Sequence, residues 1–170
     1  MHWPPNADGV TWFSQEVLPA VRAAVPEATL WAIGKQPPAG LAALPLFQAG
    51  GIHAPGYVED TDPYWARCRI FVVPLRAGGG MRVKILEAWA RGLPVVSTTI
   101  GAEGLACRPG EDILLADTPE ALAQAVSRVL QDDSLAQRLA TSGRQTVARH
   151  YDWRAVYPAW DAVYERAGSA

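Results

Sequence analysis

Two short runs, Ile70-Phe71-Val72-Val73-Pro74 and Pro94-Val95-Val96-Ser97-Thr98, constrain the fold of this chain more than any other feature. Neither alternates apolar with polar residues, and both are too short to be helices. Apolar runs of this length, bounded by turn residues, predict strands buried on both faces, the habit of parallel sheets. Thr29-Leu30-Trp31-Ala32-Ile33, ended by Gly34, reads the same way; Ile52-His53-Ala54 and Asp112 to Ala116 are shorter candidates. Helical segments alternate with them. The spacing of Val10, Phe13, Val17, Leu18 and Val21 predicts a helix over 9–24, capped by Asn6 or Asp8 and bent at Pro19. Short helices are expected over 40–46 and 60–66. Longer ones are expected over 82–91 (stopped by Gly92), 119–130 (capped by Thr118), 134–149 and 153–166, the last kinked at Pro158. The class is α/β: a Rossmann-like parallel sheet with helices on both faces. At 170 residues one domain is the natural count, over 1–166, with 167–170 as a disordered, frayed tail.

In such sheets ligands sit beyond the carboxyl ends of the strands. Directly after the Ile70 strand comes Leu75-Arg76-Ala77-Gly78-Gly79-Gly80-Met81-Arg82-Val83-Lys84-Ile85-Leu86-Glu87-Ala88. Glycines let backbone amides approach a ligand, and a helix start favours an anion. Arg82 and Lys84 lie where the helix dipole disfavours cations, a conflict that a bound anion resolves. Glu87 either pairs with Lys84 three residues earlier or accepts hydrogen bonds from vicinal ribose hydroxyls. A ligand with phosphates and hydroxyls, a nucleotide-sugar, suits this set; a plain solvent-exposed turn is the other reading. The loop lacks the Gly-Lys-Ser/Thr ending of a P-loop and the dinucleotide fingerprint.

Around it, Thr98 and Gly101 after the next strand either touch phosphate or sugar or form an ordinary turn. Lys35, after Gly34, points to the same edge or is a plain surface lysine. His2, His53 and His150 are scattered, and no metal-ligand spacing stands out. The net charge of -2 gives no bulk field for nucleic acid. No signal peptide or membrane-length apolar run is present. Two lone cysteines, Cys68 and Cys107, fit a reducing compartment, so a cytoplasmic location is expected.

The chain resembles the C-terminal, donor-binding domain of family 4 glycosyltransferases with the GT-B fold. The residues that carry the resemblance run nearly end to end: Trp3-Pro4-Pro5-Asn6, Gly56-Tyr57-Val58-Glu59-Asp60, the Pro74 to Ala88 loop and helix, Gly92 to Thr98, Gly101-Ala102-Glu103-Gly104-Leu105, and Tyr151-Asp152-Trp153. The resemblance implies retaining transfer of a sugar from a nucleotide diphosphate sugar, the donor being a substrate rather than a cofactor. It implies Arg82 or Lys84 as the catalytic cations at the diphosphate and Glu87 at the ribose. Lys35, Gly78, Gly79, Gly80, Met81, Thr98 and Gly101 would complete the donor site. The first glutamate of the family's paired-glutamate motif falls at Gly79, a departure shared by a glycine-rich-loop branch.

The resemblance also implies a separate N-terminal acceptor domain or a partner chain, and a first, central strand, neither of which has a counterpart here. Without that strand its neighbours keep unpaired backbone groups unless strands rearrange or a partner fills in. Any peripheral membrane association would run through the missing domain, and a homo-oligomer is the other partner expected. The isolated chain is expected not to turn over substrate. Competing readings are a non-catalytic nucleotide-sugar binding module, a sugar epimerase, and an interaction subunit using Trp3, Trp12, Trp153 and Trp160 as anchors.

Overall fold

A computed structural model describes Met1, residues 3–155 and Tyr157. The expected helix over 153–166 lies within it only at its first residues; Pro158, Trp160, the tail 167–170 and His2 lie outside the described residues. Helix α1 (Pro4–Trp12) starts earlier than expected, because Pro4 and Pro5 are preorganised for a first helical turn. Asn6 and Asp8 are therefore inside the helix and do not cap it, which releases their side chains for distant partners. The helix then widens into a π segment, Phe13–Val17, before α2 (Leu18–Ala24). Pro19 would clash with the carbonyl four residues earlier in a regular helix; the wider turn places it in the first turn of α2 instead.

Strand β1 (Leu30–Ile33) is followed by a 3-10 turn (Ala39–Ala43) and α3 (Pro45–Gln48), where one helix was expected; Pro45 divides them. Next come β2 (Ile52–Gly56), α4 (Asp62–Trp65), β3 (Phe71–Val73), α5 (Val83–Ala90) and β4 (Val95–Ser97). The chain continues through β5 (Leu114–Leu115), α6 (Pro119–Gln131) and α7 (Asp133–His150). The cap expected for α6 is in place: the Ala121 amide donates to Thr118 Oγ1 at 3.2 Å.

The parallel pairing is β3-β4-β5 in one sheet and β1-β2 in another, not one continuous sheet. Both faces of the larger sheet are covered, and β4 shows why its run is apolar throughout. Val96 packs into the core formed by α1, the π segment, α2 and α6, whereas Val95 packs with Ile85, Trp89 and Ile113 on the opposite face. Side chains alternate every residue along a strand, so successive valines serve different cores. No helix among the described residues is long and apolar enough to cross a membrane.

Between β1 and β3 runs a groove. Its upper part is a cavity of about 340 Å³ lined by Ala32 and Ile33 on one side and Val73, Pro74 and Leu75 on the other. Its lower part, about 430 Å³, is lined by Thr29 and Leu30 facing Ile70 and Phe71. The carboxyl ends of β1 and β3 thus lie together, and the two strands run in the same direction.

Candidate functional site

The loop from Pro74 to Met81 leaves the carboxyl end of β3 and turns into α5. Gly78 and Gly80 have φ of 110° and 89°, values that a side chain would strain. Gly78 also carries the Trp3 indole on its bare Cα; a Cβ there would lie 2.6 Å from the ring. Trp3 is partly exposed and so acts as a cover on the glycine loop, while Trp12 is buried in the core.

Arg82 is 5% exposed and folds back beneath the loop. Its Nη1 donates to the Gly79 carbonyl at 2.9 Å and its Nη2 to those of Gly78 at 2.8 Å and Ile100 at 3.3 Å. Its Nε is buried with no hydrogen-bond partner among the described residues. Both terminal nitrogens are thus spent on backbone oxygens. In a trans peptide the carbonyl and the next amide point in opposite directions, and the described residues contain no cis bond. Carbonyls of Gly78 and Gly79 drawn inward by Arg82 therefore turn the amides of Gly79 and Gly80 outward. Replacing Arg82 with lysine keeps the charge but loses the fork, and should cost about 1–3 kcal/mol of stability. A thermal melt shifted by less than a degree would contradict this account of the loop.

Lys84 takes a different direction. Its Nζ donates to Asn6 Oδ1 at 2.8 Å, across from α1, and its side chain lines the upper end of the groove. Burial, and secondarily the positive charge of Arg82, holds its ammonium below the ordinary lysine pKa. The two cations expected to converge on one anion are thus divided, one under the loop and one beside it. Glu87 is exposed on α5 and pairs with Arg91 at 3.4 Å, not with Lys84; Arg91 also reaches Asp62 at 2.8 Å. Lys35 is exposed, its Nζ 5.0 Å from the centre of the Tyr57 ring. Met81 is exposed on the loop.

Thr98 and Gly101, expected at the ligand edge, are buried. Thr98 Oγ1 donates to the Leu75 carbonyl and accepts the Gly101 amide at 2.9 Å. A Cβ on Gly101 would stand 2.7 Å from the Val73 carbonyl oxygen. Both fasten the loop after β4 to the end of β3, and the hydroxyl has no capacity left to donate to a ligand. Asn6, read from the sequence only as a cap, instead accepts a hydrogen bond from the Lys84 ammonium. The Trp3-Pro4-Pro5-Asn6 motif marked its position but not its distant partner. Among the described residues no three His, Cys, Asp or Glu side chains gather as a metal site.

The family model for glycosyl transferases group 1 matches residues 1–132. The lipopolysaccharide core biosynthesis glycosyltransferase LpsE of Rhizobium meliloti is 32% identical over 114 residues, 66% of this chain and 33% of that protein. The chain spans 33% to 41% of the length of this and two further curated relatives. In fold it is similar to Anabaena HepE, solved in complex with UDP (TM-score 0.73, 18% identity, 94% of this chain and 46% of that one). It is similar also to the C-terminal domain of a group 1 family protein, LpcC, from Francisella tularensis (TM-score 0.68, 22% identity, 84% of this chain and 80% of that one). The chain belongs to the group 1 glycosyl transferases and carries one Rossmann-like half of their GT-B fold.

Proposed function

We propose that this chain is the C-terminal, donor-binding half of a retaining glycosyltransferase of the glycine-rich-loop branch, and that its loop and Lys84 hold the diphosphate of a nucleotide-sugar. The observation that carries this reading is the inward anchoring of the Gly78 and Gly79 carbonyls by Arg82, which turns two successive amides toward solvent at the carboxyl edge of the sheet. Such amides form a concave seat for phosphate oxygens. Lys84 supplies the accompanying positive charge from the side, where burial has already removed much of its hydration. Arg82 acts on the diphosphate through the loop, by orienting its donors. Glu87, exposed one turn further along α5, accepts the ribose hydroxyls when Arg91 yields.

In transfer, charge grows on the departing diphosphate, and fixed amides with an adjacent ammonium stabilise it without reorganising. Retaining transfer also needs the acceptor aligned in a closed, dry cleft. The resemblance places that half in a separate N-terminal domain, so this chain by itself binds donor without transferring its sugar.

Calorimetric titration of the chain with UDP, GDP and ADP tests the reading. UDP stands first because the Anabaena relative was solved with it. Saturable binding of at least one, weakened by phosphate, is expected, together with no transfer when the matching nucleotide-sugar is offered with simple sugars. Failure of all three to bind would overturn the donor assignment, and turnover at ordinary enzyme rates would overturn the division of labour.

A further inference from the structure

We propose that the exposed indole of Trp3 seats the sugar that is to be transferred: a pyranose ring lies with a face of C–H bonds against it, in the space over the bare Cα of Gly79. This rests on the donor reading above and names the side chain that grips the sugar. Three glycines follow one another in the loop, but only Gly78 and Gly80 have positive φ. Gly78 also lies under the Trp3 ring, where a Cβ would clash. Gly79 has neither reason to be glycine: it does not share the positive φ, and a Cβ built on it meets no atom within 4 Å among the described residues. Backbone and packing both tolerate a side chain there. A glycine that the fold does not require keeps room for the close approach of a ligand. That room opens beside the indole, because Trp3 covers the glycine just before it.

The indole is held still. Pro4 biases the residue before it to extended backbone, and Trp3 has φ of -77° and ψ of 121°. The Trp3 carbonyl accepts the amides of Asn6 at 3.0 Å and Ala7 at 3.3 Å. Arg82, fastened to three backbone carbonyls, sets its guanidinium 6.0 Å from the centre of the ring. The ring is thereby tied to the loop whose amides receive the diphosphate. Yet Trp3 stays 37% exposed and joins neither hydrophobic core among the described residues. An aromatic ring fixed in place beside open space is a ligand platform. The order of groups along the donor agrees. Glu87 takes the ribose from α5 and the amides of Gly79 and Gly80 take the diphosphate, so the sugar leaves the diphosphate on the side away from α5, toward Gly78 and Trp3. The face of an aromatic ring carries partial negative charge and attracts the polarised C–H bonds of a pyranose. The sugar's hydroxyls, at the rim of its ring, then stay free for water or for the acceptor.

Calorimetry on the full chain compares UDP, GDP and ADP with UDP-glucose, GDP-glucose and ADP-glucose, for the parent, Trp3→Leu and Trp3→Phe. Glucose serves as the probe because the grip is on a C–H face. Leucine keeps apolar cover on Gly78 and removes the aromatic face; phenylalanine keeps a face. For the base that binds, Trp3→Leu should weaken the nucleotide-sugar about three- to tenfold and the bare nucleotide less than about twofold, with Trp3→Phe close to the parent. In proton NMR of the parent, ring C–H protons of the bound glucose should move upfield under the indole ring current, and Trp3→Leu should abolish that shift. Gly79→Leu fills the same room without touching Trp3. It should keep the parent's melting temperature and weaken the nucleotide-sugar about threefold more than the nucleotide. Three results overturn the proposal and leave the donor reading standing: equal weakening of nucleotide and nucleotide-sugar by Trp3→Leu, no effect on either, or unshifted glucose protons in the parent. Failure of the parent to bind any of the three nucleotides overturns the donor reading, and this proposal with it.

Discussion

Replacing Trp89 with alanine is expected to destabilise the chain by about 3–5 kcal/mol, a large share of a typical domain's total stability. Trp89 is 0% exposed and sits where α5, α7 and the larger sheet meet. Its Nε1 donates to the Asp112 carbonyl at 3.0 Å, so the ring is both a packing element and a fastener. Asp112 is itself committed: its carboxylate accepts the Arg108 amide and the Thr146 hydroxyl, each at 2.7 Å. Removing the indole leaves a cavity and an unpaired carbonyl together. The facing position on α7 is Gly143, where an added Cβ would lie 2.7 Å from the indole Cγ. Gly143→Ala should therefore also destabilise, by about 1–3 kcal/mol, through overpacking against a ring that cannot retreat. Urea unfolding of both variants checks this. A loss below about 1 kcal/mol for Trp89→Ala would mean that the α5–α7 core is not packed as described.

The strands around Val72 and Val96 were legible because burial on both faces leaves an uninterrupted apolar run. The α6 start was legible because Thr118-Pro119 combines a cap with a residue suited to a first turn. The division of the parallel strands into two sheets was not legible, because no local pattern in the apolar runs announces which strands pair. Side-chain partners were less legible. Glu87 chose Arg91 over Lys84; a glutamate four residues before an arginine is the better-oriented helical pair, and Lys84 is drawn to α1 instead. That contact joins residues 78 positions apart, and it depends on how closely α1 approaches the end of β3. Gly9 permits the approach: a Cβ there would lie 3.1 Å from the Pro74 carbonyl carbon. The burial of Thr98 and Gly101 was equally hidden, since small polar residues after a strand read alike whether they face a ligand or the scaffold.

Lys84→Met should separate binding from folding. The substitution removes the ammonium beside the glycine loop and keeps a flexible apolar stem of similar length. Losing one charge-assisted hydrogen bond to a diphosphate costs about 1.5–3 kcal/mol, so nucleotide affinity should fall about ten- to a hundredfold. Stability should move the other way or not at all. The folded-state pKa of Lys84 lies below its unfolded value, because burial and Arg82 penalise the charged form. The unfolded chain thus binds more protons in that interval, and stability rises with pH there. The increment is present above the ordinary lysine pKa and lost as pH falls through the lowered one, so at neutral pH the charged lysine weighs against the empty fold. Methionine carries no such penalty: its melting temperature at neutral pH should match or exceed that of the parent. The gain in stability that the parent shows on entering the alkaline range should also shrink. A bound diphosphate reverses the sign for the parent by favouring the ammonium, so ligand should raise the parent's melting temperature and leave that of Lys84→Met nearly unchanged. Full nucleotide affinity in Lys84→Met would remove this lysine from the donor site. A marked drop in its melting temperature would show instead that the Asn6 contact holds α1 in place and that the charge is structural.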